Sequence, residues 1–248
     1  MAQIWIKSNE DYISARMITS QSKSSVGYLL VPGLFEPSCD LYYFFQEFIE
    51  ELRVNDKCGL VFEFCGSGDS YGSSSLVTVS TMIHNLQDVL NYMKAQGVTD
   101  IIAVGRGIGA NLLLAIANDN AIQSMYMINP MLMGKKATCI LKEFLNDYSE
   151  SEICLTEKIL VKLQSILYTA GVDMSNIEEE IVSLKLFQEL LDTDYIFNLS
   201  SHEKISKILV TKDMWPRYID NVEEYLSDGD FTNYNDRYNI IRDIISNE

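Results

Sequence analysis

Short apolar runs bounded by turn residues alternate along the chain with amphipathic stretches. This is the pattern of strands and helices alternating around a largely parallel sheet, and the class is α/β. Two leading strands are predicted over Gln3–Lys7 and Ile13–Thr19. The run VGYLLVPGL, Val26–Leu34, predicts a strand buried on both faces that ends in a Pro-Gly loop, with a helix from about Leu41 to Arg53 after it. GLVFEF, Gly59–Phe64, predicts the next strand; the loop CGSGDSYGSS follows, then a helix from about Val77 to Gln96. Within that helix Val79, Met82, Ile83, Leu86, Val89, Leu90 and Met93 recur at helical spacing and mark one core-facing stripe. DIIAVG then leads through a glycine-dense turn into a second apolar helix, and SMYMINP, Ser124–Pro130, gives one more buried strand.

The pattern changes from Gly134 to about Ser201, where long acidic segments such as ICLTEKILVKLQSILYTAG and IEEEIVSLKLFQELL carry helical periodicity. The expected organisation is a core of residues 1–133 and 202–248 with a helical insertion, 134–201, standing over the sheet. The alternation resumes with KILVTKD, Lys207–Asp213, a short strand near Val222–Leu226 and a closing helix from about Arg237 to Ser246. No linker rich in Pro, Gly or Ser divides the 248 residues, so one domain with an insertion is expected.

Composition narrows the function. A formal charge of −16 repels phosphate backbones and anionic lipid, which excludes nucleic acid and membrane surfaces as expected partners and permits a cationic or peptide-like ligand. The opening MAQIWIKSNEDY has no basic stretch followed by an apolar one, and no run approaches about 18 apolar residues, so a soluble, cytoplasmic protein is expected. The five cysteines, Cys39, Cys58, Cys65, Cys139 and Cys154, are scattered and never in CxxC spacing, which points to free thiols with no disulfide framework and no zinc site. No metal and no cofactor are expected.

The turn VGRGIGAN admits two chemistries. Gly105, Gly107 and Ala110 satisfy a dinucleotide fingerprint, but the strand after it ends in Asn129-Pro130 where an acidic residue should hold the ribose, and several strands precede it. The same turn matches a nucleophile elbow, G-x-S-x-G, with Gly105 and Gly109 as the flanking glycines and Gly107 in the place of the serine. Its neighbours favour the elbow. VPGLFEPSCD stands where a strand leads into an oxyanion loop, with Pro32 in the histidine position of that loop, and FEFCGSGDS stands where an FDxxGxGxS loop follows the next strand.

Through these three motifs, in order and at spacing, the chain resembles the α/β-hydrolase superfamily, in particular its small serine-hydrolase and acyltransferase-like members, from about Val26 to the end. The resemblance implies a mostly parallel central sheet with flanking helices and a helical cap formed by the 134–201 insertion. It also implies three chemical roles, and here they are poorly filled. Gly107 leaves the nucleophile position without a side chain. Asp213, after KILVTKD, is the candidate for the acid, against the plainer reading of a solvated strand end. In SDGDFTNYNDRY the histidine position falls on Phe231. The two histidines of the chain, His84 and His202, lie elsewhere and read as surface or boundary residues. Cys39, on the rim of the expected site, and Ser67 and Ser70 in the adjacent loop have no histidine in predictable reach, and an unactivated hydroxyl is a poor nucleophile.

Losing both nucleophile and base argues against serine hydrolysis, since either loss alone costs several orders of magnitude in rate. The leading expectation is therefore a non-hydrolytic protein that binds a small molecule or peptide in the former active-site cleft, as an accessory or tailoring protein of a biosynthetic pathway. Leu34, Phe35, Cys39, Arg106, Ile108 and Trp215 would line that cleft with Gly107 and Phe231. Two alternatives stay open: an esterase, thioesterase or peptidase whose nucleophile lies elsewhere or was engineered away, and an interaction subunit that meets a protein partner through the acidic insertion.

Overall fold

The computed structural model describes residues 2–22, 24–36, 43–131, 135–146, 152–154, 181–192, 203–209 and 234–246. Strands β1 (Ala2–Ser8), β2 (Asp11–Ile18), β3 (Val26–Val31), β4 (Cys58–Phe62), β5 (Asp100–Arg106), β6 (Ile122–Ile128) and β9 (Ile205–Leu209) form one seven-stranded sheet in the order β1-β2-β4-β3-β5-β6-β9. The β1–β2 hairpin joins β4 antiparallel, whereas β4, β3, β5, β6 and β9 run parallel to one another. Two further strands, β7 (Glu152–Cys154) and β8 (Ile181–Ser183), pair antiparallel apart from this sheet.

Parallel strands need crossovers, and three helices supply them, α1 (Phe44–Val54), α2 (Val79–Ala95) and α3 (Ile108–Ile116), while α6 (Tyr234–Ser246) follows the last strand at the end of the described chain. Alternate residues of the central strands face opposite layers. Leu29, Val31, Leu60, Phe62 and Ala103 pack into a core with Leu86, Met93 and Leu112 of α2 and α3. Tyr28, Leu30, Val61, Ile102 and Val104 pack into the other with Phe45, Phe48 and Ile241 of α1 and α6. Both faces being covered explains why these strands read as unbroken apolar runs with no period of two. Thr78 and Thr81 cap α2 reciprocally, each hydroxyl accepting the other's amide N–H at 3.1 and 2.8 Å. On the opposite layer the Arg237 guanidinium of α6 grips the Glu47 carboxylate of α1 through two hydrogen bonds of 2.8 and 2.6 Å.

The mostly parallel sheet with flanking helices is the one expected. Some boundaries differ. β3 stops at Val31, because Pro32 has no N–H with which to continue the ladder, so Leu34 lies in the loop and not in the strand. Within the stretch expected to be wholly helical, α4 (Lys135–Asn146) and α5 (Leu184–Asp192) form, but IVS adopts the extended strand β8. Its β-branched Ile181 and Val182 pair with β7 instead of extending the helix that follows. The strand expected near Val222–Leu226 lies outside the described residues, as do positions 210–233 as a whole. Among the described residues no helix is long and apolar enough to cross a membrane.

The junction of β5 with α3 is packed backbone against backbone. A Cβ on Gly109 would fall 2.1 Å from the carbonyl oxygen of Pro32, and one on Gly105 would fall 2.5 Å from Cα of Ala110. Neither obstacle is a side chain that can swing away, so only glycine lets α3 start this close to the end of β3. Between them, at Gly107, the problem is torsional: φ is 54°, while among the described residues an added Cβ would meet only Gly33 Cα, at 3.9 Å. Gly109→Ala is therefore expected to destabilise the fold by about 3 kcal/mol or more, from forced backbone displacement, and Gly107→Ala by about 1–3 kcal/mol, from strain alone. Urea unfolding of the two variants checks the order; a Gly109→Ala variant as stable as the unaltered chain would contradict the packing.

Candidate functional site

The reversal from β5 to α3 turns on a single residue. Arg106 ends the strand, Ile108 begins the helix, and Gly107 between them takes φ 54° and ψ −131°, a region that side-chain-bearing residues rarely enter. The turn is held from several directions. The Gly107 N–H donates to the Ile128 carbonyl at 2.9 Å, and the Gly107 carbonyl accepts from the Ala110 N–H at 3.1 Å. One turn along α3, the fully buried Asn111 clamps the backbone beyond β6: its amide donates to the Met131 carbonyl at 2.9 Å, and its oxygen accepts the Met131 N–H at 2.7 Å.

Facing the turn is the loop that leaves β3. Its Gly33 Cα borders the space above Gly107, Leu34 is buried, and Phe35 sits half-buried with φ 54°. Glu36 folds back over this loop and accepts the Gly33 N–H at 2.8 Å. Its other oxygen lies 3.5 Å from the Arg106 guanidinium, with the two side chains only 11% and 8% exposed. A charged pair this deeply removed from water at the end of a parallel strand joins the oxyanion-type loop to the elbow. Removal of Arg106 would take from Glu36 the cation it pairs with in a place largely removed from water.

A third wall is the loop after β4. Glu63, buried, accepts the Asp69 N–H at 2.6 Å and so ties the loop into its bend. Ser70 serves structure: its hydroxyl donates to the Glu63 carbonyl at 2.6 Å and accepts the Ser14 N–H of β2 at 2.8 Å. Cys65 is anchored through its N–H to Asn85 Oδ1 at 2.9 Å. The Ser67 hydroxyl is buried and has no hydrogen-bond partner among the described residues. Phe35 and this loop, including Ser67, Ser70, Ser73 and Ser74, line a cleft of about 390 Å³. The cleft opens beside the carboxyl ends of the parallel strands, where this class of sheet places ligands.

Of the expected site residues, the structure brings together Gly107, Arg106, Ile108, Leu34 and Phe35 at the elbow and the loop facing it. Cys39, Asp213, Trp215 and Phe231 lie outside the described residues, as does His202. His84 is on α2, half-exposed, with its Nε2 3.3 Å from the Asp88 carboxylate one turn on, which is the arrangement of an ordinary helix surface. Sequence reasoning missed Glu36, Asn111 and Glu63. A signal for Glu36 existed: a cation set among glycines and apolar residues, as Arg106 is, requires a nearby carboxylate. Among the described residues no group of three or more His, Cys, Asp or Glu side chains could hold a metal ion.

The chemistry available at the turn is thus restricted. No side chain projects from position 107, and the thiol in the neighbouring loop is a poor substitute. The Cys65 thiol is pushed up to about 11, first by burial and then by the negative charge of Asp11, against a smaller opposing effect of the Asn85 hydrogen bond. A thiol in that state is protonated at neutral pH and is not a nucleophile.

No protein-family model and no curated relative matches the sequence. Solved structures do match. The chain is similar to a putative hydrolase from Agrobacterium vitis S4, with a TM-score of 0.64 and 13% identity over 99% of this chain and 97% of that one. It is similar to Est1E from Butyrivibrio proteoclasticus, a structure with ferulic acid bound, with a TM-score of 0.62 and 11% identity over 98% and 96% of the two chains. A monoacylglycerol lipase from Paleococcus ferrophilus matches with a TM-score of 0.61 and 12% identity over 95% and 99%. At such identities the likeness speaks for architecture: this chain has the α/β-hydrolase fold, and Gly107 stands at the elbow between strand and helix.

The burial of Cys65 gives a direct chemical check. Iodoacetamide at pH 8, with modified sites mapped by mass spectrometry, is expected to alkylate the exposed Cys139 while Cys65 stays unmodified. Equal labelling of the two would contradict the protonated, half-buried state assigned to Cys65.

Proposed function

We propose that this protein binds a small molecule or peptide in the cleft beside the elbow and does not hydrolyse it through a serine at the elbow. The observation that carries the reading is Gly107 itself: the backbone keeps the strained turn, with space among the described residues where a Cβ would project, yet offers no nucleophile. Scaffold retained and nucleophile lost fit a site kept for its shape. Half-buried Phe35 supplies apolar surface to the cleft, the hydroxyls of the 66–74 loop supply polar contacts, and Leu34 and Ile108 are buried at the elbow and the loop facing it. Trp215, Phe231 and Cys39 complete the lining in this reading, and Asp213 is a residual acid.

Glu36 supports the same reading electrostatically. In acyl transfer the amides of Leu34 and Ile108 would face a developing oxyanion. A carboxylate fixed on the Gly33 N–H, one residue from Leu34, opposes negative charge there, and Arg106 offsets it. The balance is better suited to a neutral or zwitterionic ligand than to an anionic intermediate. Any proton transfer next to a bound carbonyl would fall to Asp213 with those two amides. A second reading, ester hydrolysis with a nucleophile elsewhere, draws on the likeness to Est1E and the lipase, whose printed names are those of hydrolases. The acidic insertion is an additional candidate surface for a protein partner.

The test has two arms. The unaltered chain is expected to leave p-nitrophenyl acetate and butyrate at the buffer rate, while Gly107→Ser combined with Phe231→His raises hydrolysis about tenfold or more, since a nucleophile and base would be restored to an existing elbow. In native mass spectrometry the unaltered chain is expected to retain a non-covalent small-molecule mass that Gly107→Phe, which fills the open space, does not. Ester turnover by the unaltered chain, or ligand retention unaffected by Gly107→Phe, would overturn the proposal.

A further inference from the structure

Away from the elbow, three aromatic rings from three parts of the chain meet at the outer edge of the sheet. Trp5 of β1, Tyr12 of β2 and Tyr71 of the loop after β4 are 46%, 43% and 60% exposed. Tyr71 packs edge to face against both others, its ring centroid 5.4 Å from that of Trp5 at 71° and 6.1 Å from that of Tyr12 at 68°. The group is preorganised by backbone. The Tyr71 N–H donates to the Tyr12 carbonyl at 2.9 Å, Ser14 pairs with Trp5 in the hairpin register, and the Ser14 N–H is held by Ser70 of the same loop. Rings fixed in this way lose little entropy when a partner covers them, and three such rings in contact form an apolar patch with no role in the core.

The strand beside them is open. Among the described residues β1 pairs with β2 alone and stands at the edge of the seven-stranded sheet. Its side chains alternate, Ile6 and Ser8 buried and Trp5 and Lys7 exposed, so an added strand would lay every second residue alongside Trp5. The surroundings are acidic. Glu10 lies in the turn between β1 and β2 and Asp11 opens β2, Asp69 stands exposed two residues before Tyr71, and the Asp11 carboxylate lies 3.2 Å from where a Cβ on Gly72 would be. Lys7 is the one cation of β1.

We infer that the Trp5–Tyr12–Tyr71 cluster and the open edge of β1 form a docking surface for a basic, extended polypeptide segment of a partner protein. The ring faces attract guanidinium and ammonium groups, the flanking carboxylates pair with them, and the edge supplies main-chain hydrogen bonds. The net charge of −16 adds long-range attraction for a basic segment. It disfavours a second copy of this chain, which would bring the same acidic charge to the same place. The mutually inclined rings also present no flat shelf on which a sugar ring would stack.

Fluorescence anisotropy with a labelled (Arg-Val)5 peptide at physiological salt tests this on the full chain. Saturable binding is expected, weakened about tenfold or more in Trp5→Ala and in Tyr71→Ala. Asp69→Lys, which leaves the rings in place, is expected to weaken it as well, and (Gln-Val)5 is expected not to bind. Binding of (Arg-Val)5 indifferent to Trp5→Ala would show only diffuse charge attraction and overturn the inference. So would Trp5-dependent binding of xylohexaose, or Trp5-dependent dimers in sedimentation velocity.

Discussion

Everything about the site follows from one place where main chain meets main chain with no space for a side chain. The carbonyl of Pro32 lies where a Cβ of Gly109 would be, and the backbone of Ala110 lies where that of Gly105 would be. This contact sets the distance between the end of β3 and the start of α3. That distance in turn brings Gly33 to within reach of the space above Gly107, and lets Glu36 on one loop meet Arg106 on the other. The clamp of Asn111 on Met131 extends the same constraint to β6. A chain without a reactive residue at the turn still keeps the turn, because the turn is how the two strands and the helix pack.

That separation between architecture and chemistry shapes the functional reading. The α/β-hydrolase fold is established by the sheet order and by structural likeness, and it carries no particular activity with it. What bears on activity is local: a glycine in a strained conformation, a buried carboxylate next to the amide turn, and a cysteine held protonated by its burial. In the proposed reading, each works against covalent catalysis at the elbow and the cleft serves for binding. In the proposed docking role the aromatic cluster at the other end of the loop after β4 is a second surface for recognition.

Much of this was legible in the sequence for physical reasons. A strand buried on both faces cannot hide its composition, so β3, β4, β5 and β6 stood out as apolar runs, and the steric demand for glycine at positions 105 and 109 marked the turn between them. What stayed hidden depends on contacts between residues distant along the chain. Glu36 looked like a loop carboxylate because its partner Arg106 follows two strands and two helices later. Trp5, Tyr12 and Tyr71 showed no common period because they come from two strands and a loop. The strand formed by Ile181–Ser183 was concealed by the helical period of the residues after it, and only pairing with Glu152–Cys154 brings it out.

If position 107 is a nucleophile position left empty, as proposed, the most direct measurement is the reaction of the unaltered protein with a fluorophosphonate probe, read by intact mass. A chain with no activated serine is predicted to show no adduct after prolonged incubation. A stoichiometric adduct on any serine would mean that an activated nucleophile exists elsewhere in the fold, and would contradict the reading of the cleft as a binding site without serine catalysis.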